Sequence, residues 1–262
     1  MNFGRATLIA YIHRPHTAST EISLPSPSPM RVAIVSDVHS NLEALTTALN
    51  RIRAENADEI WCLGDVVGYG PSPNECIGLV RENCSVVLKG NHEAGAIGEI
   101  DLSDFNEDGH IAIEWTQRRL SDENDNYLRS LPLSAFREGI MLAHATPADP
   151  ESWNYVLTWA DVSAAFETFS GPVCFIGHTH IPMILGEDQH IGSFRKGVRH
   201  LVNVGSIGQP RDGNPLASFG LYDTTSGEYQ NIRVEYDVEK VMEAMNEAGL
   251  PEDLGKRLRL GI

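Results

Sequence analysis

"RVAIVSDVHSNLEALTTALNRIRA", residues 31–54, decides the fold class. Residues 32–35 are a run of small and branched apolar side chains, the pattern of a strand buried on both faces. Asp37 and His39 interrupt the run, after which Leu42, Leu45, Leu49 and Ile52 share one helical stripe. The cycle then repeats, with "EIWCLG" (59–64) reading as a second strand, "PNECIGLVREN" (73–83) as a second helix and "SVVLKG" (85–90) as a third strand. Such alternation implies an α/β fold, a sheet containing parallel strands with helices on its faces.

Downstream, a helical stretch covers about residues 104–130, and strands are expected at 137–145, 172–178, 200–206, 218–223 and 229–237. Short Gly- or Asp-containing turns join several of them, so the second half reads as more antiparallel. "DVEKVMEAMNEAG" (237–249) has Asp237 as N-cap and Gly249 just past its end, and a short helix in "PEDLGKRLRLG" follows. No repeat of solenoid length is present.

At 262 residues and 42% hydrophobic, the chain can bury a real core, and one large domain over 30–262 is expected. A formal charge of −16 argues against a surface that tracks long nucleic acid, so any phosphate chemistry must be local. Cys62, Cys76, Cys84 and Cys174 form no CxxC pair and read as free thiols of a reducing cytoplasm. Residues 1–29 differ in kind: a short apolar patch, "ATLIAYI", precedes "HRPHTASTEISLPSPSP", which offers no face to bury and reads as a disordered extension. The patch is at the lower limit of a signal h-region and no A-x-A site follows it. No later run approaches the ~18 apolar residues of a membrane span.

Polar residues collect at one kind of place. Asp37 and His39 follow the first strand, Asp65 the second, Asn91 and His92 the third; His144 follows "GIMLA", and His178 and His180 follow "VCFIG". Each sits at the carboxyl end of an expected strand, where open α/β sheets place their ligand crevice. Asp-x-His alone carries little weight, whereas five fragments in fixed order, supplying two Asp, one Asn and five His, point to metal. Imidazole and carboxylate donors without thiolate favour divalent ions of the Mn, Fe, Zn, Co or Ni type over Mg or Ca. His13, His16, His110, His190 and His200 lie in the extension, a helix or turns and read as structural or solvated. Glycines 64, 90 and 177 precede the polar residues and would let the backbone bend where the strands end.

"DVH", "GD", "GNHE", "HATP" and "GHTH" resemble the signature of the calcineurin-like metallophosphoesterase superfamily, and "GDVVGYGPSPNE" and "NVGSIGQPRDG" resemble its bacterial phosphodiesterase-like branch. The resemblance implies a four-layer sandwich, two mixed β-sheets face to face with helices outside, and a binuclear centre. Carried over by position, it implies that Asp37, His39, Asp65 and His180 hold one metal and Asp65, Asn91, His144 and His178 the other. Asp65 would bridge them, and His92 would bind neither but protonate the leaving group.

The surroundings leave alternatives open. Glu93 orients the His92 imidazole or is only a helix-starting carboxylate. Tyr69 and Asn74 line a substrate pocket or form a turn and a helix cap. Arg211 binds a second phosphate or leaving group, or pairs with Asp212 or solvent. Trp61 and Trp115 read as core. Three functions follow: a phosphodiesterase acting on a small soluble phosphate ester, a protein phosphatase or dinucleoside polyphosphate hydrolase, and a non-catalytic scaffold. The second would carry Asp-Arg in "GDxVDRG", where this chain reads "GDVVGYG"; the third tends to lose ligands that this chain keeps.

Overall fold

The computed structural model describes residues 30–262 apart from Lys196, so the expectation for 1–29 lies outside the described residues. Among the described residues, ten strands form two mixed five-stranded sheets. The first sheet holds β1 (Arg31–Val35), β2 (Glu59–Cys62), β3 (Val86–Val87), β9 (Ala217–Asp223) and β10 (Tyr229–Val234) in the order β10-β9-β1-β2-β3. The second holds β4 (Ser134–Arg137), β5 (Ile140–Ala143), β6 (Val173–Ile176), β7 (Met183–Gly186) and β8 (His200–Asn203) in the order β4-β5-β6-β8-β7. β1 pairs in parallel with β2 and antiparallel with β9, and β6 runs parallel to both β5 and β8.

Strand alternation sorts the core into layers, because successive side chains leave opposite faces. Val32, Ile34, Trp61 and Leu63 point inward and meet Leu142, Val173, Phe175 and Val202 of the facing sheet. Ala33, Val35, Ile60 and Cys62 point outward. There they meet α1 (Leu42–Ala54), α2 (Pro73–Asn83), α7 (Val238–Glu247) and α8 (Glu252–Leu260). On the other side Cys174, Ile176 and Leu201 meet α6 (Trp159–Phe166). The result is the expected sandwich of two sheets between helices.

Local chemistry sets the element ends. The Asn41 side chain caps α1 by accepting from the Ala44 N–H at 3.0 Å, with Glu43 in its first turn and Arg51 and Arg53 in its last, as the helix dipole favours. Asp237 caps α7 as expected. The single strand expected at 137–145 is instead the end of a hairpin: Glu138 and Gly139 both have positive φ (50° and 81°), the turn that matches strand twist, so the chain reverses between β4 and β5. The helical stretch at 104–130 divides into α4 (Glu107–Gln117) and α5 (Asp122–Arg129), where Ser121 caps a new start. Sequence patterning missed four short strands and α-helices: β4, α3 (Asn91–Ala96), α6 and β7. The Thr158–Asp161 capping box was the legible signal for α6. The four cysteines are free, Trp61 is fully buried, and no helix among the described residues is long and apolar enough to cross a membrane.

Candidate metal centre

The loops leaving β1, β2, β5 and β6, with the start of α3, meet at one edge of the sandwich. Asp37, His39, Asp65 and His180 bring one donor atom each within 4.8 Å of one another, and Asp65, His144 and His178 form a second such group. All are buried. Asp65 belongs to both groups. Its Oδ1 accepts the His92 backbone N–H at 2.9 Å, while its Oδ2 has no hydrogen-bond partner and lies 3.2 Å from His144 Nε2 and 3.8 Å from His39 Nε2. Asn91 opens α3 beside them with its Oδ1 buried and unpartnered, as are the Nε2 atoms of His144 and His178. Buried polar atoms are nearly always paired, so these orphans at one edge of the sandwich fit a bound partner.

The partner's sign follows from the tautomers. Nδ1 of His39, His144 and His180 donates to the carbonyls of Val67 (3.2 Å), Leu63 (3.1 Å) and Gln209 (2.6 Å). Each Nε2 therefore turns an unprotonated lone pair inward when the ring is neutral. His39 and His180 then face each other at 3.0 Å between Nε2 atoms. Burial, then His92 and His180, holds His39 well below the usual imidazole range. Two neutral lone pairs that close repel unless a cation lies between them. The donor set thus fits divalent transition ions, by its imidazole and carboxylate chemistry and by its unfilled inward valences.

Holding these groups together strains the backbone. Asp37, His39, Ser40, Asp65, Tyr69, His178 and His180 all have positive φ, between 50° and 67°, a conformation that costs a non-glycine residue about 1–3 kcal/mol. The glycines serve two purposes. Gly64 bends with φ +109° as expected, but Gly90 and Gly177 are required by close approach: a Cβ on Gly90 would lie 2.1 Å from Asp65 Oδ1, and one on Gly177 2.5 Å from Asp37 Oδ2.

Glu93 neither orients the His92 ring nor merely starts α3. Its carboxylate accepts from the N–H groups of Asp65 (2.7 Å), Val66 (2.7 Å), Val67 (3.0 Å) and Gly90 (2.8 Å), pinning the loop that carries Asp65. Burial, and after it Asp65, pushes this carboxyl up to about 7. Both oxygens meet only N–H donors, so the ionised form is the one the loop accommodates. Glu93→Gln would set an amide NH2 against those donors; a loss of about 1–3 kcal/mol in a denaturant melt is expected, with metal affinity reduced roughly 10–100-fold. Unchanged metal affinity in a titration of that variant would show that the loop holds Asp65 without the clamp.

A cleft of about 340 Å³ opens over the donors, lined among others by Tyr69, Asn91, His92, Phe105, Tyr155 and Arg211. Tyr155 stacks on His178 with ring centroids 4.1 Å apart, a wall the sequence did not reveal. Tyr69 and Arg211 both line this cleft. The Arg211 guanidinium donates to Gln209 Oε1 (2.9 Å) and Tyr69 Oη (3.3 Å) and has no ion pair among the described residues; Asp212 pairs with Arg233 instead. Asn74 is a correction: its amide donates to the Arg119 carbonyl (2.8 Å) and accepts from Ser121 and Asn124, tying α2 to α5 outside the cleft. A larger hollow of about 780 Å³ beside Phe194 and Tyr222 at the start of β1 contains no such donor set.

The buried histidines make the metal-free protein sensitive to acid. Burial, then His144, holds His178 down to about 3, and burial holds His92 down to about 4, against an unfolded value near 6.5. The unfolded chain therefore binds more protons, and stability is lost as pH falls from about 6.5 toward 4. His144 has the opposite sign: burial opposes its charge, but Asp65 and Asp37 outweigh burial and raise it to about 9, so its contribution is lost as pH rises through 9. In chelator, the melting temperature is expected to drop between pH 6.5 and 4; a flat profile there would show that these rings are not held neutral.

Fold and donor set together define a metallophosphoesterase-type centre, and the chain belongs to the calcineurin-like phosphoesterase superfamily, whose domain matches residues 30–227. It is 41% identical over 243 residues to an uncharacterized protein of Methanocaldococcus jannaschii, covering 88% of this chain and 98% of that one. The crystal structure of a metallophosphoesterase from Sphaerobacter thermophilus superposes with a TM-score of 0.80 at 37% identity, covering 89% of this chain and all of the other. A symmetrical bis(5'-nucleosyl)-tetraphosphatase of Proteus mirabilis is 30% identical over 121 residues, 44% of each chain.

Proposed function

We propose that this protein is a binuclear metal-dependent hydrolase of small phosphate esters, acting as a phosphodiesterase in the reducing cytoplasm where its four thiols stay free. One observation carries the reading: two groups of buried donors share Asp65, with imidazole lone pairs aimed at common points. Asp37, His39, Asp65 and His180 would hold one divalent ion, and Asp65, Asn91, His144 and His178 the other. Mn, Fe, Zn, Co and Ni all suit these donors. Two such ions, when bound, supply positive charge opposite the phosphate and make water acidic enough to attack at neutral pH.

The remaining chemistry belongs to the chain. Arg211, without an ion pair among the described residues, binds a phosphate oxygen at the cleft rim. His92 is 3% exposed and lines the cleft; burial keeps its ring neutral in the metal-free chain, and the negative charge of a phosphate bound beside it would favour the protonated form that hands a proton to the departing oxygen. The cleft volume suits a small substrate.

The partial likeness to a bis(5'-nucleosyl)-tetraphosphatase supports a second reading, a dinucleoside polyphosphate substrate. Gly68 weighs against it, because it stands where the Asp-Arg pair would begin. A Cβ there would lie 2.1 Å from His92 Nδ1, so a larger residue displaces that ring. The test is one metal-defined preparation assayed on a phosphodiester, a phosphomonoester, cyclic nucleotides and diadenosine tetraphosphate. Fastest turnover of the diester is expected. Preference for the tetraphosphate would favour the second reading, and no turnover with any of the five metals would end the hydrolase assignment.

A further inference from the structure

The two sides of the sandwich are covered unequally. The outer face of the first sheet lies under α1, α2, α7 and α8, whereas α6, only eight residues long, covers the outer face of the second. Beside α6, over β7 and β8, Leu157, Trp159, Ile181, Met183 and Ile191 are left 76%, 38%, 38%, 41% and 57% exposed. They surround an apolar hollow of about 500 Å³, and no described residue lining it is charged. Together these side chains leave about 500 Å² of apolar surface, at roughly 150–250 Å² per large residue, near the upper limit for a free monomer surface.

We infer that this face is a two-fold interface with a second copy of the same chain. Two such patches bury about 1,000 Å², the lower bound of a specific protein interface. Charge selects the occupant's approach: chains of formal charge −16 repel one another, and an uncharged apolar face lets two copies close with the smallest electrostatic cost. Strand addition at β7 is not the mode, because its free edge is already used. The Gly192 N–H donates to the Ile184 carbonyl at 2.9 Å, and Leu185 bridges Ile191. The contact is therefore side chain on side chain. It lies next to the metal centre, since Tyr155, two residues before Leu157, walls the cleft, and Ile181 directly follows His180.

Sedimentation of the metal-loaded full chain at about 100 µM, a concentration suited to an interface at the weak, small end of the range, is expected to give twice the chain mass of 28.8 kDa. Leu157→Asp with Ile191→Asp should sediment as a monomer with an unchanged circular dichroism spectrum, because both side chains are exposed. Added salt should tighten the wild-type dimer by screening repulsion between like-charged chains, the reverse of an ionic interface. A wild-type monomer at this concentration, or a double variant that stays dimeric, overturns the inference. If the monomeric wild type becomes dimeric on removal of residues 1–29, that segment of the same chain is the occupant instead.

Discussion

Asp65→Asn is expected to leave the chain folded yet unable to retain either ion. Asparagine keeps the oxygen that accepts the His92 N–H, so the loop and the start of α3 stay tied. The lost feature is the anionic Oδ2, which faces His39 from one group and His144 from the other. Both sites weaken together, by more than the roughly 10–100-fold carried by outer-shell partners, and turnover falls with them. His180→Ala gives the contrast, since His180 belongs only to the first group and the second keeps its donors. Metal counting on the purified variants, with melts in chelator to confirm folding, separates the two. Full loading of Asp65→Asn would remove the bridging role.

His92→Ala is expected to show a penalty that depends on the leaving group. A proton from His92 matters most when an alkoxide or ribose oxygen departs and little when p-nitrophenolate, a stable anion, does. For an alkyl ester the chemical step should slow by roughly a hundred- to ten-thousand-fold, and for the nitrophenyl ester by much less. Metal content should be unchanged, because His92 is outside both donor groups. Its backbone N–H, which supports Asp65, survives the substitution. Equal losses in kcat on the two esters at matched metal loading would mean that the ring binds a phosphate oxygen, and loss of metal would place it among the ligands.

The strand, turn and helix of residues 31–54 were legible because burial on both faces and a 3.6-residue stripe are written in consecutive residues. The order of Asp37, His39, Asp65, Asn91, His144, His178 and His180 was equally plain, each at a strand exit or, for Asn91, the start of α3. β7 was hidden because it is an edge strand that starts directly after Pro182 and is only half buried, and α3 because six residues carry too few helical periods to register. Asn74 stayed open because a polar residue at a helix start looks the same whether it faces a cleft or a neighbouring helix.

From the sequence alone followed the α/β class, the edge of the sheets where chemistry collects, and the residue types that suit transition metals, because each rests on local periodicity or on donor identity. Which lone pair each imidazole turns inward was decided only by tertiary contact, through carbonyls 28, 81 and 29 residues away for His39, His144 and His180. The same holds for the Glu93 clamp, reaching back 26 to 28 residues to the Asp65 loop, and for the bare apolar face beside α6. A chain encodes which groups it owns; which of them meet depends on how loops distant in sequence close on one another, and no local pattern records that.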